Sequence, residues 1–285
     1  MKTAIITDSG SGLSEEQAKK LGIYYLPLQV MNGAETLLDG VNLDQPLIYK
    51  LLHEEAELST SQPPIGILET VVNEIKEAGY EEAVAITICS GLSSTMSTLQ
   101  ARCKYMDLPL HAVDTFTTCY IEQYLAVSAK QLADKGFNGE AIKQKLEASI
   151  AHSNTLVIPD DLQHLKRGGR LTPLAAALGG LLKIKPILKL NESSEGKIDV
   201  YAKVRTMSKA LQSTVDTFKE EQLDEHDILY ILHTDAEDQC LAFGELMKEA
   251  FPNTEIIFDH IGPVISVHTG IGCMGAQYVR KVNFD

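Results

Sequence analysis

Ser93, Asp114 and His268 carry the groups used in acyl transfer and follow the chain order of an α/β-hydrolase triad, with Asp259 as an alternative acid. The nucleophile elbow of that fold reads G-x-S-x-G, and this chain has Gly91-Leu92-Ser93-Ser94-Thr95. A β-branched Thr replaces the second glycine, and the strained elbow resists it. A serine hydrolase or acyltransferase is therefore the runner-up reading. The same stretch supports another chemistry. Ala83–Ile88 is an apolar run broken only by Thr87, followed by Ser90-Gly91 and by hydroxyls at 93, 94, 95, 97 and 98. A strand that turns through glycine into a helix start leaves backbone N–H groups facing outward, with the helix dipole behind them. That is a site for an anion, a phosphate or a carboxylate. Ser and Thr are also ordinary helix caps. No Lys lies in the stretch, which sets aside a P-loop.

Other motifs are weaker. Gly270-Ile271-Gly272-Cys273-Met274-Gly275 fits G-x-G-x-x-G between an expected strand, Val264–His268, and an expected helix over Ile271–Arg280. A dinucleotide site also needs an acidic residue roughly 20 positions further on in a βαβ unit. The residues up to Asp285 leave no room for it, so NAD and FAD are rejected. The motif reads as a glycine turn or a second anion-contacting loop, with His268 just before it. In Lys166-Arg167-Gly168-Gly169-Arg170 a helix C-cap accounts for all but Arg170, whose planar fork suits a carboxylate or phosphate. No spacing suggests a metal site. The small apolar residues Leu174–Leu182 suit a buried helix or the wall of a narrow tunnel.

The elements that must hold these residues alternate. A strand at Lys2–Thr7 leads to Ser14-Glu15-Glu16-Gln17, a capping signature opening a helix to about Leu21. A strand over Gly22–Val30 follows, then helices at Gln45–His53 and Ile65–Ala78 around a loop containing Thr60-Ser61-Gln62-Pro63. A strand at Leu110–Asp114, two helices and a strand at Thr155–Pro159 complete a βαβ pattern with a mainly parallel sheet. Ligands of such sheets sit beyond the carboxyl ends of the strands. Beyond about residue 160, strand pairs joined by short turns, including a hairpin around Asn191–Gly196, indicate an α+β unit. The expected fold is a Rossmann-like α/β domain at 1–160 followed by an α+β domain at 161–285 with a mixed or antiparallel sheet.

The 285 residues carry a formal charge of −14 with scattered Lys and Arg, which makes nucleic acid a poor partner. Five cysteines without a C-x-x-C pair point to a reduced cytoplasmic setting. Neither a signal peptide nor a membrane span is read in the chain.

Taken in register, eight stretches resemble the DegV family, whose characterised members are the fatty-acid-binding subunits of bacterial fatty acid kinase. They are Thr7-Asp8-Ser9, Thr60–Pro63, Ser90–Ser93, Val113-Asp114, Gly168–Arg170, Lys185–Leu188, Lys203–Thr206, and Gly262-Pro263 leading to His268-Thr269-Gly270. Ser94, Thr115 and Ile271 depart from the common pattern, with consequences for pocket shape and acyl preference. The resemblance implies a non-catalytic carrier without cofactor. A long-chain fatty acid would place its carboxylate on Ser61 or Thr60, Ser93 and Ser94, with His268 nearby, and its tail in the second domain. Arg170, Lys203 and Arg205 would face the kinase catalytic subunit or the acyl phosphate. A transient membrane contact is a further implied partner. A phosphosugar- or nucleotide-binding protein is the third reading.

Overall fold

The computed structural model describes residues 2–178 and 184–285. Strands β1 (Thr3–Asp8), β2 (Tyr24–Leu26), β6 (Glu82–Thr87) and β7 (Leu110–Asp114) form a parallel sheet in the order β2-β1-β6-β7. β1 and β6 are buried along their whole length because helices cover both faces, which is why their runs do not alternate. Ala4, Ile6 and Ala85 pack on α3 (Ile65–Glu77) and α4 (Thr95–Tyr105) through Leu68, Val72 and Leu99. Ile5, Val84 and Ile86 face α5 (Tyr120–Asp134) and α6 (Gly139–Ile150) through Ile121, Leu125 and Ile142. The chain steps outward from β1 to β2 and then crosses back to β6, so the loops leaving β1 and β6 diverge. A crevice at that switch point is where ligands of such sheets bind.

The second large sheet has the order β10-β9-β8-β13-β11-β12. It comprises β8 (Ser153–Ile158), β9 (Lys185–Lys189), β10 (Asp199–Val204), β11 (Asp227–His233), β12 (Glu255–His260) and β13 (Met274–Arg280), antiparallel except for β11 with β12. α9 (Met207–Glu220) and α10 (Glu237–Ala250) cover one face with Phe218 and Phe243. The other face, with Tyr230, Leu232 and Val279, packs on α5 and α6. The molecule is thus five layers deep, with α5 and α6 between the sheets. The hairpin around Asn191–Gly196 is present as β9 and β10.

A third, antiparallel sheet of β3 (Gln29–Asn32), β4 (Glu35–Leu38) and β5 (Leu58–Ser61) packs with α2 (Gln45–His53) and α11 (Pro263–Thr269). α1 (Glu15–Leu21) opens with the expected Ser14–Gln17 capping box. The remaining short helices are α7 (Leu162–Gly168) and α8 (Pro173–Ala177); of the stretch Leu174–Leu182, positions 179–182 lie outside the described residues.

Several expected elements differ. The strand over Gly22–Val30 is two strands, β2 and β3, because Pro27 has no N–H for a ladder. The loop holding Thr60 and Ser61 is strand β5, paired to β3 through Val30↔Thr60 and Gln29↔Ser61. The strand at Thr155–Pro159 joins the second sheet antiparallel to β13, not the parallel one. Val264–His268 is helix α11, whose start is set by Pro263 in its first turn. Ile271–Arg280 supplies strand β13, held by ladders on both sides. Among the described residues, no helix is long and apolar enough to cross a membrane and no cluster could hold a metal ion.

Candidate functional site

The turn after β6 is fixed from below. Asp8, at the end of β1, is fully buried and accepts hydrogen bonds from the N–H groups of Gly10 (2.8 Å) and Ile88 (3.2 Å). Burial raises its carboxyl to about 6, opposed by hydrogen bonding from Glu122. Glu122 is raised well above the ordinary range by burial first and then by the Asp8 charge. The pair therefore holds a proton between its members. Asp39, pushed up to about 7 chiefly by burial, accepts from the Val264 N–H (3.2 Å) and so seats α11. Buried acids thus prop two segments of the site from beneath.

The turn itself spends its backbone internally. The N–H groups of Leu92 and Ser93 both reach the Cys89 carbonyl, at 3.0 and 3.1 Å. The expected outward row of backbone donors is therefore reduced, and hydroxyls carry the polar face. Ser93 Oγ lies 2.8 Å from Thr95 Oγ1 and accepts from the Thr95 N–H (3.2 Å), which pins it at the start of α4. Ser94 Oγ donates to Gln62 Oε1 (3.1 Å), as does Thr98 Oγ1 (2.7 Å), tying α4 to the end of β5. A Cβ on Gly91 would lie 2.7 Å from the Glu195 carbonyl oxygen and overlap Gly196, so only glycine lets the β9–β10 turn seat here.

Opposite the turn, α11 delivers His268. Its Nε2 is 2.7 Å from Thr60 Oγ1, a contact between residues 208 positions apart. Its Nδ1 is buried without a hydrogen-bond partner among the described residues. Burial, and secondarily Arg170, push the imidazole down to about 4, so it is neutral at physiological pH. A neutral ring either donates to Thr60, freeing the Thr60 O–H for a ligand, or accepts from it and keeps a proton on Nδ1. Gly168, the last residue of α7, lies directly against this ring: a Cβ there would overlap Nδ1 and stand 2.9 Å from Cε1. Arg170 follows, half-buried, and donates to the carbonyls of Gly168 (2.6 Å) and Leu92 (3.4 Å). It bridges α7 to the Ser90–Ser93 turn.

These parts enclose a cavity of about 520 Å³. Thr60, Ser61, Ser93, Ser94, His268 and Arg170 all line it, with Ser90 and Gln62. Leu28, Ile88, Leu165 and Val264 give it apolar walls. Thr60, His268 and Arg170 also form one side of a neighbouring cavity of about 400 Å³ that includes His164 and Arg167. Lys203 and Arg205 are not among the lining residues; both are exposed, Lys203 on the edge strand β10 about 16 Å along it from the lining residue Ile198 and Arg205 just beyond the end of that strand. Gln62 and Ser90 had no assigned role in the sequence, although both stand inside quoted motifs.

The triad reading has no geometry behind it. Ser90 Oγ, not Ser93, donates to Asp114, whose other oxygen accepts from the Phe116 N–H (3.1 Å). His268 is engaged with Thr60, and Asp259 accepts from the His260 N–H (2.7 Å). Among the described residues the Ser93 hydroxyl is bonded to Thr95 and to no base. Gly270 and Gly272, at φ +72° and +78°, form the turn from α11 into β13 and open no helix. A Cβ on Gly270 would crowd the His164 ring, 3.1 Å from its Nε2.

A family model described as "uncharacterised protein, DegV family" matches residues 2–281. A DegV domain-containing protein of Streptococcus pneumoniae is 31% identical over 284 residues, spanning 99% of this chain and 100% of the relative. The crystal structure of DegV from Bacillus subtilis, named a fatty acid binding protein, has a TM-score of 0.87 at 29% identity and covers 99% of this chain and 100% of its own. That of a fatty acid binding DegV family protein from Streptococcus agalactiae has a TM-score of 0.88 at 30% identity, covering 99% of each chain.

Proposed function

The chain belongs to the DegV family, and from that premise we propose that it is a fatty-acid-binding carrier which hides the tail of a long-chain fatty acid and presents the carboxylate to a separate ATP-dependent kinase. The observation that carries the reading is the composition of the 520 Å³ cavity: hydroxyls of Thr60, Ser61 and Ser93 and a neutral His268 share it with walls of Leu, Ile and Val. Burying roughly 15 methylenes at about 0.8 kcal/mol each offers about 12 kcal/mol gross, enough for tight binding after the loss of translational and rotational freedom. A carboxylate leaving water must be met by several donors, and the hydroxyls and the imidazole supply them. Residues 1–160 would carry the carboxylate turns and 161–285 most of the wall around the tail.

Arg170 has five N–H donors and spends two of them on carbonyls. The rest are available to the phosphoryl group as a carboxylate oxygen attacks the γ-phosphorus of ATP held by the kinase, the bond to the β-phosphate breaks, ADP leaves and an acyl phosphate forms. Its place between the two cavities, with Arg167 in the second, supports that role. Lys203 and Arg205 fit contact with the kinase surface better than contact with the ligand. The cytoplasm is the compartment we assign, supported by five cysteines that are all free thiols.

Mass spectrometry of lipid extracted from the purified protein tests the reading. A stoichiometric long-chain fatty acid is expected; a protein that is empty and indifferent to added fatty acid refutes it. Arg170→Ala should retain the lipid and lose transfer to acyl phosphate in the presence of a kinase.

A further inference from the structure

Leu92, Ile198, Ile265 and Thr269 line the main cavity and also a smaller inner one of about 50 Å³. The inner cavity runs between the second sheet and the start of α5, with walls of Cys119, Val157, Leu190 and Leu232. Gln277 of β13 lines it too. The neighbours of Gln277 along the strand, Ala276 and Tyr278, face the α9 and α10 layer, so Gln277 points the other way, toward α5. Its Nε2 donates to the Thr118 carbonyl (2.9 Å) and approaches Thr155 Oγ1 (3.0 Å) and Thr117 Oγ1 (3.2 Å). A carbonyl can only accept, so the amide orientation is fixed by Thr118. That leaves Oε1, on a side chain 1% exposed, with no partner among the described residues. A buried unmet oxygen is costly and calls for an explanation.

We propose that the inner cavity recognises a hydroxyl group carried on the acyl chain, with Gln277 Oε1 accepting its hydrogen bond. The proposal rests on the fatty-acid reading above. Water is the poorer occupant, since it needs two to four polar partners. The threonines nearby are already engaged: Thr117 with Thr155 (2.7 Å), Thr118 with the Gly10 carbonyl (3.0 Å) and Thr269 with Thr234 (3.2 Å). A chain hydroxyl brings one donor on an otherwise apolar carrier, which matches one acceptor in apolar walls. A keto group at the same place would set one carbonyl oxygen against another.

The test is competition binding to the unaltered protein with stearic acid, the positional series of monohydroxystearic acids, and the matching ketostearic acids. One position, or two adjacent ones, is expected to bind roughly fivefold or more tighter than the other hydroxy isomers, with its keto counterpart weaker by a similar factor. Gln277→Met should level hydroxy and keto acids. If that variant fails to fold, the positional profile of the unaltered protein decides alone. A flat profile with hydroxy equal to keto, while stearic acid binds, overturns the proposal and leaves the carrier reading standing. Failure of every acid to bind overturns both.

Discussion

Gly168→Ala isolates the contact on which the His268 arrangement depends. The backbone at 168 is helical and α7 would gain up to about 1 kcal/mol in helix propensity from alanine. The new Cβ, however, would stand 2.9 Å from His268 Cε1 and closer still to Nδ1, where ordinary contact begins near 3.4 Å. The ring or the helix must move by about 1 Å or more, and overpacking of this kind costs about 1–3 kcal/mol. If the imidazole leaves Thr60, the 2.7 Å bond adds about 0.5–1.5 kcal/mol. The net loss is about 1–3 kcal/mol, several degrees in Tm. Fatty acid affinity should fall with it, because Thr60 and His268 both line the cavity. The same change made in a His268→Ala background meets no ring. A double-mutant cycle by thermal unfolding should give a coupling of about 1–3 kcal/mol between positions 168 and 268. Gly169→Ala is the control: at φ +69° with open space around it, it pays only backbone strain. Equal losses from Gly168→Ala in both backgrounds would refute the steric argument.

Gly91→Ala meets the backbone of Glu195 and Gly196, which cannot swing aside as a side chain can, so urea denaturation should show a loss of more than about 2 kcal/mol and a perturbed ligand turn. For the Asp8–Glu122 pair the folded protein binds protons more tightly than the unfolded chain, so its stability contribution is greatest at low pH and is lost as pH rises from about 4 through 6 and above. Glu122→Gln keeps one acceptor oxygen, enough for either Thr7 or Thr118 but not both, and cannot ionise; its Tm should fall less between pH 5 and 8 than that of the parent, and parallel curves would contradict the shared proton. Ser93→Ala should weaken long-chain fatty acid binding roughly fivefold to a hundredfold in a titration, and a fluorophosphonate should leave Ser93 of the parent unlabelled. Unchanged affinity would remove Ser93 from the site.

Local signals were readable where one short segment decides the outcome. The Ser14–Gln17 capping box, the buried runs of β1 and β6, and the glycine stop at the end of α7 each follow from neighbouring residues. Reading failed where distant partners decide. Leu58–Ser61 is rich in hydroxyls and becomes a strand only because β3 pairs with it. Met274–Arg280 lies between β8 and β11 with both faces covered, which erases any period. Val264–His268 carries β-branched residues, but Gly262-Pro263 was the better guide to a helix. The motif positions marked Thr60, Ser93 and His268, yet nothing in the chain pairs Thr60 with His268, and Gln277 stands in no motif.

The placement of α5 and α6 between two sheets has a consequence for how such a chain can change. Ile121, Leu125, Leu132, Ile142 and Leu146 are fully buried by contributions from both sheets at once. A crossover that grafts the second half of one relative onto the first half of another would mate two surfaces that had adjusted to different companions. Successful recombinants should therefore carry α5, α6 and β13 from the same parent, whatever the origin of the residues around the ligand turns. Ligand preference can then drift at the rim of the cavity while this middle layer is inherited as a block.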